Sequence, residues 1–372
     1  MTGAMAARVA SIVLALLSAP VRRWFFSHEL LWLYLAASSF TIALVAVPLV
    51  RAYARWCGAI DQPSPRKVHQ VPTPLLGGAA VYVAFAITVL MNFNFSRELK
   101  GVALGAAVIV ALGVLDDVKD LPAWVKLLGQ LGAAAIAMGF GAILTVVPAS
   151  VPGAGMLNVI VTALWILTVT NAVQFLDGMD GLAAGIGVIA SLFFSVVALQ
   201  TGQSYVLFLA ASLVGACAGF LPYNLRRGGA TIFLGDGGAS FIGFTLAGLA
   251  VMGVWGHNDP LVAMLTPTLI LAVPLFDIAF IGVVRVTGGK VHSLHEWLAY
   301  TGKDHLHHRF ESLGFTKMQT VFLIFFLCGT LGISAMLLSG AQAREAVLIL
   351  VQVACVLAIV AVLEGIGRGR AG

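Results

Sequence analysis

Residues Asn171–Gln200 read NAVQFLDGMDG and then LAAGIGVIASLFFSVVALQ. The second part, Leu182–Gln200, is uncharged and long enough to cross a hydrocarbon layer of about 30 Å. The first part crowds amides, aspartates and glycines into eleven residues. This pairing of a polar cluster with an apolar run recurs along the chain. Five clusters, Asp61–Gly78, Asp116–Asp120, Asn171–Gly181, Asn224–Ser240 and Arg285–Arg309, each fall in an alternate gap between apolar segments. If the segments cross a membrane in turn, all five clusters emerge on one face. A chain that brings its acids, histidines and basic residues back to one face five times is building one site there.

Composition agrees with this reading. The chain has 372 residues, 60% hydrophobic and 10% charged, with a mean hydropathy of +1.00. A soluble domain carries about a quarter charged residues. Too little polar surface remains to cover a water-exposed globule, so the expected fold is all-α, a polytopic membrane protein. The net charge of +5 reports topology; no zinc-ligand spacing and no DNA- or RNA-reading signature is present, so no nucleic-acid partner is expected. Cys57, Cys217, Cys328 and Cys355 are isolated and read as small apolar residues.

Eleven transmembrane segments are expected: Leu30–Val50, Leu75–Phe95, Gly101–Leu115, Val125–Val147, Met156–Phe175, Leu182–Gln200, Tyr205–Tyr223, Ala239–Trp255, Leu261–Val284, Met318–Ser339 and Ala346–Leu363. The third is short, and its start reaches back toward Arg97 or its end lies at the interface. The motif-bearing face holds 15 Lys and Arg against 6 on the other, which makes it cytoplasmic and puts the N-terminus outside. Residues 1–28 read as an uncleaved interfacial segment, with a signal peptide as the other option. Residues 29–372 read as one integral-membrane domain. Its cytoplasmic loops cover about 51–74, 116–124, 171–181, 224–238 and 285–317.

Each cluster has a chemical reading and a plainer one. Asp116, Asp117 and Asp120 follow the third span; a solvated helix end would account for one acid, but three suggest a general-base or divalent-cation face. Lys119 and Lys126 stand close by. Asp177 and Asp180 are spaced i, i+3, on one helical face. A capped turn explains Asn171 or one of these aspartates, not the whole run. Gly235, Gly237 and Gly238 bare backbone N–H groups at a helix start, an anion-binding arrangement. Asp236 beside them would repel phosphate unless a Mg²⁺ bridged the two; the alternative is a plain N-cap. Arg66, Lys67 and His69 open the second span in a rigid loop that suits phosphate or simply anchors the chain. His305, His307 and His308 form the densest histidine cluster, and zinc is disfavoured because the companion acids are hard oxygen ligands. Asp277, inside the ninth span, needs a cationic partner that sequence does not identify.

Taken in order, these motifs resemble the polyprenyl-phosphate N-acetylhexosamine-1-phosphate transferase superfamily, glycosyltransferase family 4. They are closest to the branch that starts O-antigen, common antigen, teichoic acid and exopolysaccharide synthesis. The resemblance covers Asp61 to Phe315 and rests on Asp61-x-Pro-x-x-Arg-Lys-x-His69-x-x-Pro-x-Pro-x-x-Gly-Gly78, Asp116-Asp117-x-x-Asp120, Asn171…Asp177-Gly-x-Asp180-Gly-Leu, Phe233-Leu-Gly-Asp236 and His305-x-His-His308. It implies transfer of a sugar-1-phosphate, with N-acetylglucosamine as the default sugar, from a UDP-N-acetylhexosamine to undecaprenyl phosphate at a bacterial inner membrane. UMP is released and Mg²⁺ is required, with Mn²⁺ as a substitute. By the same analogy, Asp236 is a metal ligand, and Asp116 or Asp117 orients or deprotonates the lipid phosphate. Phe233 and Asn224 would meet the uracil, Asp177, Asp180 and Lys67 the nucleotide or pyrophosphate, and the histidine loop would cover the phosphates or sugar. A homodimer is compatible with all of this, although no interface is visible.

Three departures stand out. Gln174 replaces an Asn associated with metal coordination, Ala239 replaces a Ser, and the Asn224–Phe233 segment is longer and carries Arg226, Arg227, Gly228 and Gly229. The peptidoglycan branch, which transfers phospho-N-acetylmuramoyl-pentapeptide, shows three adjacent histidines where this chain has His-Leu-His-His. A secondary transporter is the rival from another class, but it would place ionisable groups near the bilayer midplane. Here nearly all acids stand at span ends, Asp277 being the main exception.

Overall fold

The structure, a computed structural model, describes residues 11, 15–63, 71–92, 96–256, 260–289 and 305–371. It is built of helices α1 (Ala19–Ser27), α2 (Leu31–Cys57), α3 (Gly77–Asn92), α4 (Arg97–Lys119), α5 (Ala123–Gly139), α6 (Ala154–Phe175), α7 (Leu182–Gln200) and α8 (Ser204–Asn224), followed by α9 (Gly235–Met252), α10 (Pro260–Ile270), α11 (Ala272–Thr287), α12 (Leu306–Ser312), α13 (Lys317–Ser339) and α14 (Ala343–Ala371). The β-structure among the described residues is a two-residue antiparallel ladder that pairs Ile60 with Pro74 and Asp61 with Thr73. The all-α expectation therefore holds.

Among the described residues, eight helices are long and apolar enough to cross a membrane: α2, α4, α6, α7, α8, α9, α13 and α14. Helices α3 and α5 stand on two further expected segments but are shorter. The third expected span is longer than its apolar stretch. It begins at Arg97, where the Ser96 side chain accepts the Leu99 N–H at 3.2 Å, and it runs to Lys119. The ninth expected span, drawn as one straight helix, is instead broken. Helices α10 and α11 meet at an angle of 86° around Leu271. Pro274 has no N–H to give the preceding turn, and Pro267 stands inside α10. Prolines so placed on either side of a turn are an ordinary cause of a sharp bend.

Helix α9 is the centre of the assembly and packs against α3, α4, α6, α7 and α8. Every residue from Gly237 to Val251 is buried. Its glycines allow this: a Cβ on Gly113 of α4 would collide with the Gly237 backbone, and a Cβ on Gly78 of α3 with that of Gly238. Helix α14 packs against α12 and α13 at the periphery. The N-terminal α1 buries none of its residues.

Candidate active site

Helices α3 and α4 each meet α9 glycine to glycine, at Gly78–Gly238 and Gly113–Gly237, and the three bring their polar ends to one point. The Asp116 carboxylate is 5% exposed. One of its oxygens accepts the Leu121 N–H at 2.8 Å, and the other receives the Lys126 ammonium. That ammonium also lies 3.2 Å from Asp236 Oδ2. Gln174 Nε2 donates to the same Asp236 oxygen at 3.0 Å. Asp117 Oδ1 accepts the Asp236 N–H at 2.9 Å. Three of the five sequence clusters thus touch through Asp236.

The helix-start glycines do not form the phosphate cradle that their sequence suggests. The carboxylate of Asp117 already occupies the N-terminus of α9, where the helix dipole favours an anion. Gly237 and Gly238 are explained by helix contact instead. Asp236 is in the first turn of α9, not its N-cap, and its side chain points into the acid cluster.

The remaining clusters are stitched to this point by backbone. Phe233 N–H donates to the Pro74 carbonyl at 2.8 Å, while the Phe233 and Leu234 carbonyls accept the Gly77 and Gly78 N–H groups at 2.9 and 2.7 Å. Asp180 Oδ2 accepts the Ala230 N–H at 2.9 Å, which ties down the long Arg226–Thr231 segment. Asn224 is 4% exposed, and both ends of its amide are spent: Oδ1 on the Gly181 N–H at 2.6 Å and Nδ2 on the Ile232 carbonyl at 3.0 Å. The structure gives Asn224 the work of holding two loops together, not an open face toward a ligand. Asn171 is likewise engaged, donating to Gln130 Oε1 and to the Leu167 carbonyl, each at 2.8 Å. Gln130 was missed in the sequence because it is one amide inside an apolar helix, with nothing nearby to mark it. Asp120 is exposed and closes α4 in a left-handed conformation, φ 48°.

The histidine segment arrives from the far end of the chain. The His305 ring lies 5.5 Å from that of Phe175, the residue after Gln174. His307 is 2% exposed, its ring set against Gly178. Burial, followed by the neighbouring His308 and His305, pushes His307 well below the usual histidine range, so it is neutral at pH 7. It packs the turn onto the Asp177–Asp180 loop. Arg66, Lys67 and His69 lie outside the described residues.

The electrostatics record how many acids converge. Burial, then the charges of Asp236, Asp117 and Asp180, push the Asp177 carboxyl well above the usual carboxylate range. Among the described residues, no three His, Cys, Asp or Glu side chains are gathered closely enough to hold a metal by themselves. The donors around Asp236 include the Gln174 amide and the Asp117 carboxylate, and hard oxygen atoms of this kind suit a small divalent cation.

The family profile described as Glycosyl transferase family 4 matches residues 99–254, the stretch that contains Asp116, Asp117, Gln174, Asp177 and Asp236. The chain is 34% identical over 310 residues to the probable undecaprenyl-phosphate N-acetylglucosaminyl 1-phosphate transferase of Bacillus subtilis, covering 82% of this chain and 84% of that one. It is 32% identical to the decaprenyl-phosphate N-acetylglucosaminephosphotransferase of Mycolicibacterium smegmatis, with 81% of each chain covered. Similarity to the undecaprenyl-phosphate alpha-N-acetylglucosaminyl 1-phosphate transferase of Escherichia coli is 26% over 77% of this chain and 78% of that one. Helix ends that pool their acids around Asp236 and likeness over four-fifths of two relatives lead to one conclusion: this chain belongs to glycosyl transferase family 4, among the polyprenyl-phosphate N-acetylglucosamine-1-phosphate transferases.

Proposed function

We propose that this enzyme transfers N-acetylglucosamine-1-phosphate from UDP-N-acetylglucosamine to undecaprenyl phosphate, with Mg²⁺, on the cytoplasmic face of a bacterial inner membrane. The observation that carries the proposal is the convergence of Asp116, Asp117, Lys126, Gln174 and Asp236 at the ends of four helices. The relatives reported above are named for N-acetylglucosamine and a polyprenyl phosphate, which favours this branch over the peptidoglycan one. The excess of Lys and Arg on the motif-bearing face supports the orientation. Tyr53 and Trp56 in the last turns of α2 and Trp124 in the first turn of α5 are exposed and suit the membrane–water boundary.

In the reaction, an oxygen of the lipid phosphate forms a bond to the β-phosphorus of the UDP-sugar. The bond from that phosphorus to the bridging oxygen breaks, and the bridging oxygen leaves with its electron pair on UMP. A phosphate at neutral pH is already anionic and needs little help from a base. Asp117 is therefore a positioning group: it fixes the first turn of α9 and with it the Asp236 carboxylate. Asp236 and Gln174 would hold Mg²⁺, Gln174 through Oε1 once its amide turns over. Bound there, the ion supplies positive charge against the pyrophosphate oxygens. Lys126, shared between Asp116 and Asp236, brings a second positive charge to the same place. The histidine turn closes the side of the site next to Phe175 and Gly178.

The test is UMP release by the purified protein in detergent, given undecaprenyl phosphate, Mg²⁺ and a panel of UDP-N-acetylhexosamines. Release from UDP-N-acetylglucosamine that requires both lipid and Mg²⁺ is expected. No release from any donor by folded protein would overturn the reading, and solute flux into proteoliposomes without UMP would turn it toward a transporter.

A further inference from the structure

We infer that Asp277 is a positioning residue for this reaction, acting through His305; the inference rests on the function proposed above. Asp277 is 1% exposed on α11, and both its oxygens are spent on the first residues of α12. Oδ2 meets His305 Nδ1 at 2.8 Å, and Oδ1 accepts the Leu306 N–H at 2.7 Å. His305 is the N-cap of α12 but makes no capping bond with its own side chain. The carboxylate therefore sets the ring and the backbone at once, from a helix separated from them by more than a dozen residues.

The chemistry of that contact decides which nitrogen works. Opposite an ionised carboxylate, Nδ1 must carry the proton and donate it. Nε2 is then the nitrogen left to meet a ligand, the division of labour in carboxylate–histidine pairs generally. The ring stands beside Phe175, the residue after Gln174, and stacks at 6.0 Å on His307, which lies against Gly178 of the Asp177–Asp180 loop, so it forms part of the wall of the site. A buried ion pair kept only for stability would need one oxygen and no particular tautomer. Two more buried ionisable residues, Glu364 of α14 and Arg309 of α12, complete the surroundings.

The experiment is UMP release by wild type, D277N, D277E, H305N and the D277N/H305N double variant, each with its thermal midpoint in detergent. D277N is expected to lower kcat about 10- to 100-fold, the usual worth of an outer carboxylate partner, with KM for the UDP-sugar changed less than threefold. D277E should recover part of the loss, and the double variant should be no worse than H305N alone. Wild-type release with D277N within twofold of it, or losses that multiply in the double variant, would overturn the inference alone. No wild-type release would overturn the underlying reading and the inference with it. If D277N does not fold, H305N decides: a kcat within twofold of wild type at an unchanged midpoint overturns the inference, and a tenfold loss supports it.

Discussion

Helices α9 and α14 are both long enough to cross a membrane, yet 83% of the spanning window of α9 is buried against 11% of that of α14. The exposed one is the more apolar. Helix α14 is a run of Val, Leu, Ile and Ala, whereas α9 carries five glycines in 18 residues and an aspartate in its first turn. In water this order would be reversed. In lipid, an apolar side chain gains little by leaving its surroundings, and association depends on how closely backbones approach. Small residues therefore mark the inside, and the helix with the weaker apolar signal is the one that carries the chemistry.

That contrast can be broken or sharpened at chosen residues. The largest effect is expected from G237V, which drives a side chain into the Gly113 backbone; it should abolish the monodisperse peak on size-exclusion chromatography in detergent. D236N should fold and lose at least about 100- to 1000-fold in UMP release, in the range seen when one preorganised electrostatic group is removed. D117N should follow it, because the α9 N-terminus would lose its anion; near-wild-type turnover in a folded D117N would sink the positioning role. Q174N should stay within about threefold of wild type, since a carbonyl oxygen can still reach the site, and a complete loss of Mg²⁺-dependent release would mean the site is built around the longer side chain. I359A on α14, a residue 61% exposed, should change the thermal midpoint least of all, within the roughly 0.5 kcal/mol typical of exposed positions.

Much of this was legible in the sequence because membrane chains write their topology in charge. The apolar runs and the alternate polar gaps gave the helices, and the Asp-Asp, Asp-Gly and His-x-His-His patterns pointed to side chains that do meet. What sequence could not show was pairing across the fold. Asp277 and His305 are 28 residues apart, and the partner of Asn171 is a lone Gln130 on another helix. The break at Leu271 did have a signal, Pro267 and Pro274 seven residues apart, but a continuous apolar run hid it. The α9 glycines were read as bare N–H groups for phosphate. Local sequence cannot tell a backbone exposed to a ligand from one pressed against a neighbouring helix.

The contact of Gly113 with Gly237 has a mechanical consequence. Asp117 lies one turn beyond Gly113 on α4, and Asp236 one residue before Gly237 on α9, so the spacing of the two carboxylates is set by how the two helices tilt against each other. A bilayer thinner or thicker than their apolar length changes tilt at small cost per ångström. Because Asp117 also accepts the Asp236 N–H at 2.9 Å, such a change of tilt would be resisted at the acid cluster itself.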